Sequence, residues 1–384
     1  MKRIGILTFH RSINYGAFMQ SFAFSKEVFK RTGIMPEIVD FEYKWKNEHH
    51  AEPIKNNFIG KEYYLQYKKF RSDLDLLNLS SETFITDDTS DLLNYLQKNY
   101  DILIVGSDAV WAYQKMTLDN PYWLFGNKLD CIKMSFAASA HSTDFKKVTV
   151  QEKEFIKNHI QSFDYLGVRD EETYNFIDEL VPGKQIYRNC DPTILLKKGD
   201  QNIAKNIASQ SGLKSNKNIA TLMIAGNKYV PSIIKKIKND HEPIHFYKRN
   251  FLKDKYIPGN KGKMIYNISP FEWYNFYSIS KLNISNYFHG TLLGLRNNVP
   301  TIAFDNTNFS YNYVGKINQI MKDLDLMDFY FHYPTMTKMD EERLFTQIEN
   351  IRKNPDSIKH KIATNVEKEK LKADSFFEHL DKHI

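Results

Sequence analysis

Cysteine is nearly absent from this chain. Cys131 and Cys190 are the only two in 384 residues, far apart and without a CxxC spacing. This excludes a disulfide framework and paired-thiolate zinc sites, and it fits a reducing, cytoplasmic compartment. Long apolar runs are missing as well: stretches such as Ile102 to Val105 fall far short of the ~20 residues that span a bilayer. Met1 to His10 has no basic segment followed by a long apolar core, so no secretory signal is read there. Any membrane contact is expected to be peripheral, at the inner face of the membrane. There is no block of like charge either. The 53 basic and 46 acidic residues are interspersed and leave a net charge of +7. That distribution gives no nucleic-acid arm, and it is compatible with anionic small substrates, a lipid surface or an ordinary solvated exterior. No Walker loop, GxSxG elbow or metal-type His or Cys spacing occurs, so neither a metal nor a bound cofactor is expected. His49-His50 stands alone in a polar aromatic stretch and reads as surface.

What remains is the composition of a folded protein, 42% hydrophobic and 26% charged, with 27 Phe and 23 Tyr. Its length favours two cores. Lys2 to Thr8 reads as a buried strand, and Gly16 to Lys30 as a helix carrying Phe18, Phe22, Val28 and Phe29. Further strands are read at Glu37 to Phe41, Asp101 to Val105, Ile132 to Ala137 and Tyr165 to Val168. After the polar stretch Lys197 to Asn218 a second series follows: Ile219 to Ala225, Pro243 to Tyr247, Met264 to Tyr266, Leu282 to Ser285 and Thr301 to Phe304. Strands alternating with helices predict parallel sheets. The pattern resembles an α/β protein of two Rossmann-like domains, a GT-B-like glycosyltransferase architecture whose interdomain cleft faces the carboxyl ends of both sheets. The expected divisions are 1–196, 197–338 and a helical segment 339–384 with Leu344, Ile348 and Ile351 on one face.

Four loops at strand ends carry candidate chemistry. Asn14-Tyr15-Gly16-Ala17 opens the first helix; it could offer backbone amides to an anion or a sugar hydroxyl, or be an ordinary βα turn. In Gly106-Ser107-Asp108-Ala109-Val110-Trp111, Asp108 could accept a proton or cap a helix, and Trp111 could stack on a sugar or belong to the core. Arg169, in Val168-Arg169-Asp170-Glu171-Glu172-Thr173, could grip a carboxylate or phosphate, or pair with a neighbouring acid, and Asp191-Pro192-Thr193 reads as a turn. The most specific segment is Phe288-His289-Gly290-Thr291. There a strand stops and an apolar helix opens with a histidine at its mouth, an arrangement suited to an anion beside a proton donor.

Taken in order with Ser135-Phe136-Ala137-Ala138-Ser139 and Ser269-Pro270-Phe271-Glu272, these segments resemble the polysaccharide pyruvyl transferase family from Ile4 to about Leu326. The resemblance implies a GT-B-like fold and phosphoenolpyruvate as co-substrate, its pyruvyl group bridging two hydroxyls of one sugar as a ketal. It assigns donor binding to Arg169 and to His289 with Gly290 and Thr291. Some relatives carry an arginine where this chain has Tyr287, and Lys316, in Tyr313-Val314-Gly315-Lys316-Ile317, is the candidate substitute cation. His289 is the expected acid and Asp108 the expected base, with Asn14, Tyr15, Gly16, Ser107 and Trp111 on the acceptor side. The acceptor is expected to be a sugar of a surface-polysaccharide (capsule or exopolysaccharide) precursor, lipid-diphosphate-linked by pathway logic. Two rivals stand beside this reading: a glycosyltransferase on the same architecture, with Asp305 holding the ribose of a nucleotide sugar, and a non-catalytic carbohydrate-binding protein.

Overall fold

The computed structural model describes residues 2–51, 58–112, 120–141, 143–213, 217–224, 226–246, 263–265, 267–307 and 315–384. Ala225, Tyr247, Tyr266, Tyr313 and Val314, all named above, lie outside the described residues, as do the side chains of His49 and His50. The chain divides into two compact units, the first comprising 1–53, 73–196 and 370–384 and the second 54–72 and 197–369.

The first unit is built on a seven-stranded sheet: β1 (Ile4–Leu7), β2 (Glu37–Glu42), β3 (Leu79–Ile85), β4 (Ile102–Val105), β5 (Ile132–Ala138), β6 (Tyr165–Val168) and β7 (Tyr187–Arg188). Its spatial order is β3-β2-β1-β4-β5-β6-β7, and every pair is parallel, as in Ile4 beside Ile102 and Leu7 beside Val105. All four residues of β1 and of β4 are buried. A parallel sheet covered on both faces explains such unbroken apolar runs. Helix Tyr15–Thr32 starts at the Asn14 cap and stops at Gly33, whose φ of 72° suits glycine. Its Phe24 stacks on Phe136 of β5 with ring centroids 4.5 Å apart.

The second unit carries a six-stranded parallel sheet of β8 (Asn218–Met223), β9 (His241–Phe246), β10 (Lys263–Ile265), β11 (Ser280–Ser285), β12 (Thr301–Asp305) and β13 (Tyr330–His332), in the order β10-β9-β8-β11-β12-β13. Ser269-Pro270-Phe271-Glu272 opens helix Pro270–Phe276 as a capping box: Ser269 Oγ accepts from the Glu272 amide, and Glu272 accepts from the Ser269 amide.

Both sheets reverse direction beside their first strand, between β1 and β4 in one unit and between β8 and β11 in the other. In open α/β sheets ligands bind at the carboxyl ends of the strands flanking such a switch point.

Two divisions differ from those read in the sequence. Residues 54–72 belong to the second unit, where Lys69 Nζ binds Glu272 at 2.8 Å. The terminal segment 339–384 is not a piece of its own. Helix Lys338–Lys353 buries Leu344, Ile348 and Ile351 and binds Asp240 through Arg352 at 2.8 Å, within the second unit. Residues 370–384 return to the first, where Phe376 packs edge-on to Phe136 at 4.9 Å, Ser375 Oγ meets Tyr165 Oη at 2.9 Å and Asn189 Nδ2 donates to the Lys372 carbonyl at 2.9 Å.

Candidate active site

In the first unit the loop after β4 is drawn onto the end of β5. The Ser139 amide donates to the Asp108 carbonyl at 3.0 Å, and the Trp111 amide donates to the Ser139 carbonyl at 3.1 Å. Glycine is required at the start of this loop, since Gly106 has φ 113° and a Cβ there would stand 2.2 Å from the Phe136 carbonyl oxygen. Asp108 itself is held at φ 74°, left-handed backbone that a non-glycine residue seldom adopts and that clusters at functional sites. Its carboxylate Oδ1 lies 3.6 Å from Arg169 Nη2, while Arg169 Nη1 donates to Asp191 Oδ2 at 3.0 Å. All three residues are at least nine-tenths buried. Burial works against the guanidinium charge, but Asp191, then Asp108 and Asp170, outweigh it and raise the Arg169 pKa. The acid neighbouring Arg169 in sequence has another task. Asp170 Oδ1 caps helix Glu171–Leu180 by accepting from the Thr173 amide at 2.9 Å and from its hydroxyl at 2.6 Å. Asp191 shapes its turn as expected, accepting from the Thr193 amide at 3.0 Å, and also pairs with Arg169, which its turn-like sequence did not indicate.

Two expected acceptor contacts are corrected. Trp111 is core, 1% exposed: it stacks on Trp123 at 4.9 Å and donates Nε1–H to the Tyr122 carbonyl at 2.9 Å, so no sugar can lie against its face. Ser107 is wholly buried, and both its amide and its hydroxyl donate to Gln20 Oε1, at 3.2 and 2.8 Å. It tethers the loop to helix Tyr15–Thr32 and offers nothing to a ligand. Asn14 is exposed and caps that helix, its Oδ1 accepting from the Gly16 amide at 3.1 Å; Tyr15 is half-buried beside it and Gly16 is buried.

A cluster that the sequence reading passed over lies at the ends of β1 and β2. His10 Nε2 meets Asp40 Oδ1 at 2.9 Å and its Nδ1 meets the Thr8 carbonyl at 3.1 Å. Arg11 adds two N–H donors to the two oxygens of the same carboxylate, and Thr83 Oγ donates to Asp40 Oδ2 at 2.7 Å. Burial alone would raise the Asp40 pKa, but the bonds from Arg11 and His10 hold it far below the ordinary carboxylate range. The His-Arg pair three residues before Asn14 was the available signal.

In the second unit His289 stands at the first turn of helix Phe288–Arg296, directly after β11. This helix has no side-chain cap: Tyr287 occupies the cap position without such a bond, and a helix start of this kind is where an anion can be bound. The turn behind it is rigid. Ser285 Oγ accepts from the Tyr287 amide and donates to the Tyr287 carbonyl, each at 3.0 Å, and Asn283 Nδ2 donates to the Gly290 carbonyl at 3.0 Å. Gly290 fits because a Cβ would come within 2.6 Å of Ser285 Oγ and 3.0 Å of Met223 Sδ. Thr291 is fully buried, its hydroxyl without a hydrogen-bond partner among the described residues. Lys316, first residue of helix Lys316–Asp323, places its Nζ 5.8 Å from the centroid of the Phe288 ring, which meets the His289 ring edge-on at 5.0 Å. The structure therefore brings Lys316 beside the His289 turn. Asp305, the ribose candidate of the rival reading, is 2% exposed and already accepts from the Thr307 amide at 2.9 Å and from Tyr330 Oη at 3.3 Å.

Among the described residues there is no group of three or more His, Cys, Asp or Glu placed to hold a metal ion, and no helix is long and apolar enough to cross a membrane.

The fold is shared with solved structures of low sequence identity. UDP-GlcNAc 2-epimerase from Neisseria meningitidis, solved bound to UDP-GlcNAc, superposes with a TM-score of 0.62 at 11% identity over 100% of both chains. A glycosyltransferase from Rickettsia africae gives 0.58 at 12% identity over 99% of each chain. Anabaena HepE in complex with UDP gives 0.55 at 9% identity over 97% of this chain and 95% of that one. At such identities the likeness concerns the GT-B fold alone. No curated protein sequence matches the chain significantly. The polysaccharide pyruvyl transferase family matches residues 14–308, from the Asn14 cap past the His289 turn, and this protein belongs to that family.

Proposed function

We propose that the protein transfers the pyruvyl group of phosphoenolpyruvate to two hydroxyls of one sugar in a surface-polysaccharide precursor, releasing phosphate and leaving a cyclic ketal. The observation that carries this reading is the His289 turn: an imidazole and a lysine at a helix start without a side-chain cap, at the switch point of a parallel sheet. Those groups suit a donor that is anionic and needs a proton. The phosphate lies against the amides at the head of helix Phe288–Arg296, with Lys316 as a supporting charge. His289, as imidazolium, protonates C3 of the enol while a sugar oxygen bonds to C2. The C2–O bond to phosphate then breaks, and the second hydroxyl closes the ring on C2. Two hydroxyl protons are released in all; one replaces that consumed at C3 and the other leaves with phosphate. Asp108 is the base for an acceptor hydroxyl, which Asn14 and Tyr15 help to orient. Arg169 supplies a fixed positive charge for the donor carboxylate. No bound cofactor takes part. The acceptor is a sugar carried on a lipid diphosphate, met at the cytoplasmic face of the membrane.

The test is phosphate release from phosphoenolpyruvate with a panel of lipid-linked and aryl glycosides, comparing the intact protein with His289→Ala. Acceptor-dependent release, a pyruvyl mass gain on the sugar and loss of both in the variant are expected. Absence of release with every acceptor, alongside binding of a nucleotide sugar, would transfer the assignment to glycosyl transfer. Sugar binding without turnover, indifferent to His289→Ala, would leave a carbohydrate-binding protein.

A further inference from the structure

The His289 turn occupies the carboxyl end of the second sheet, but a cavity of about 500 Å3 opens at the opposite end of its strands. Asn218 begins β8, His241 begins β9 and Lys281 is the second residue of β11, and all three line the cavity. The remaining wall comes from the end of helix Lys338–Lys353 and the head of helix Pro355–Lys370, including Arg352, Lys353 and Lys359. The strands put roughly 20 Å between this end and the His289 turn, so a ligand here would not occupy the site described above. The volume is that of a small-molecule site.

Charge in this cavity is unbalanced. Four cations line it, Lys281, Arg352, Lys353 and Lys359, against two acids, Asp240 and Glu349. Both acids are ion-paired, Asp240 keeping one buried oxygen, Oδ1, without a hydrogen-bond partner among the described residues. Asp240 Oδ2 accepts from Arg352 Nε at 2.8 Å; Glu349 Oε1 accepts from Arg352 Nη1 at 2.9 Å and from Lys236 Nζ at 2.8 Å. Lys281 and Lys353 form no ion pair or hydrogen bond among the described residues, and Lys359 meets only Asp356, at 3.1 Å, whose side chain is almost wholly in solvent. Lys281 and Lys353 thus share one concavity without an internal counter-charge, and Lys359 pairs only with an acid outside it, an arrangement that an entering anion would complement. His241, 6% exposed, adds a second and independent sign. Its Nδ1 is buried without a well-formed hydrogen bond, Asp240 Oδ2 standing 3.4 Å away. A buried polar atom left so is costly unless a ligand or water satisfies it. Burial also lowers the His241 pKa, which favours a neutral ring that can donate or accept there.

We propose that this cavity is a second ligand site, taking a small phosphate-bearing anion between Lys281, Lys353 and Lys359, with His241 as the buried hydrogen-bonding group. Ligands with two phosphoryl groups match it best, since they bring more anionic oxygens to three ammonium groups and an imidazole than a single phosphate does.

Inorganic diphosphate is the probe, titrated calorimetrically into the full chain at physiological ionic strength. One equivalent is expected to bind. The affinity should be kept in His289→Ala and weakened at least about tenfold in the double variant Lys281→Gln, Lys353→Gln, whose circular dichroism should match that of the parent. Hydrogen exchange should slow over residues 349–359 on binding. If the double variant does not fold, Lys359→Gln with the same exchange readout takes its place. The proposal is overturned if diphosphate does not bind at millimolar concentration, if His289→Ala abolishes binding, or if the lysine variants bind as the parent does. Because binding is read without turnover, none of these outcomes depends on whether the protein transfers pyruvate.

Discussion

Arg169 donates to Asp191 at 3.0 Å and stands 3.6 Å from Asp108, so one buried guanidinium is shared by a turn acid and a loop acid. The pairing ties the loop after β4 to the turn after β7, across the end of the intervening strands. It also fixes the consequence of removing the cation. Arg169→Ala would leave two buried carboxylates facing each other, and the loss of one partner of such a pair costs about 3–5 kcal/mol. Urea unfolding should show that loss, with ketal formation reduced as Asp108 loses its anchor. Arg169→Lys keeps the charge without the planar fork. It should recover most of the stability and little of the activity; equal recovery of both would reduce Arg169 to a structural role.

His289 is half-buried at a helix start that Asn283, Ser285 and Gly290 brace from behind. Its replacement should therefore separate chemistry from folding. His289→Gln is expected to leave the melting temperature unchanged and to lower kcat by about 10²–10⁴-fold, the usual contribution of a positioned general acid. A variant that melted earlier and lost activity in proportion would assign the ring to structure instead.

Much of this arrangement was legible in the sequence, and what was not has identifiable causes. The central strands announced themselves because both faces are covered: Ile4 to Leu7 and Ile102 to Val105 are uninterrupted apolar runs. The strands that sequence reading missed, β3, β7 and β13, are sheet edges; β3 reads Leu-Ser-Ser-Glu-Thr-Phe-Ile and is mostly exposed, while β7 has two residues. Strand-end position singled out Asp108, Arg169 and His289. It could not tell a ligand contact from a tether, because both occur at strand ends. Trp111 and Ser107 look like sugar contacts in sequence and are packed away by Trp123 and Gln20, partners remote in the chain. The His10, Arg11 and Asp40 cluster was hidden for the same reason, its acid lying thirty residues beyond its histidine.

Gly290 sits where a Cβ would lie 2.6 Å from Ser285 Oγ. Gly290→Ala should force the Ser285 hydroxyl, and with it the Tyr287 backbone, out of place at a cost of about 1–3 kcal/mol. Adding Ser285→Ala removes the obstructing oxygen. The double variant should be less destabilised than the sum of the singles, with a coupling of about 0.5–3 kcal/mol in a double-mutant cycle on unfolding free energies. Strict additivity would mean that Met223, 3.0 Å from the same position, is the real obstacle.

Asp40 gives a prediction with a pH signature. Its folded-state pKa is depressed below the unfolded carboxylate value of about 3.9, because Arg11 and His10 bond to the charged form and outweigh burial. A group depressed in this way contributes stability above the unfolded pKa and loses it as pH falls toward the folded one. Asp40→Asn keeps the shape, removes the charge and leaves Arg11 and His10 facing a neutral amide. Near neutral pH the variant should be less stable than the parent by about 3–5 kcal/mol, the cost of breaking a buried pair. Below about pH 4 the gap should narrow, since the parent is then losing the same interaction. Thermal unfolding of both proteins between pH 3 and pH 7, at fixed ionic strength, provides the comparison. A gap independent of pH would mean that the amide fails for reasons of packing, and that the charge of Asp40 contributes nothing to holding the ends of β1 and β2 together.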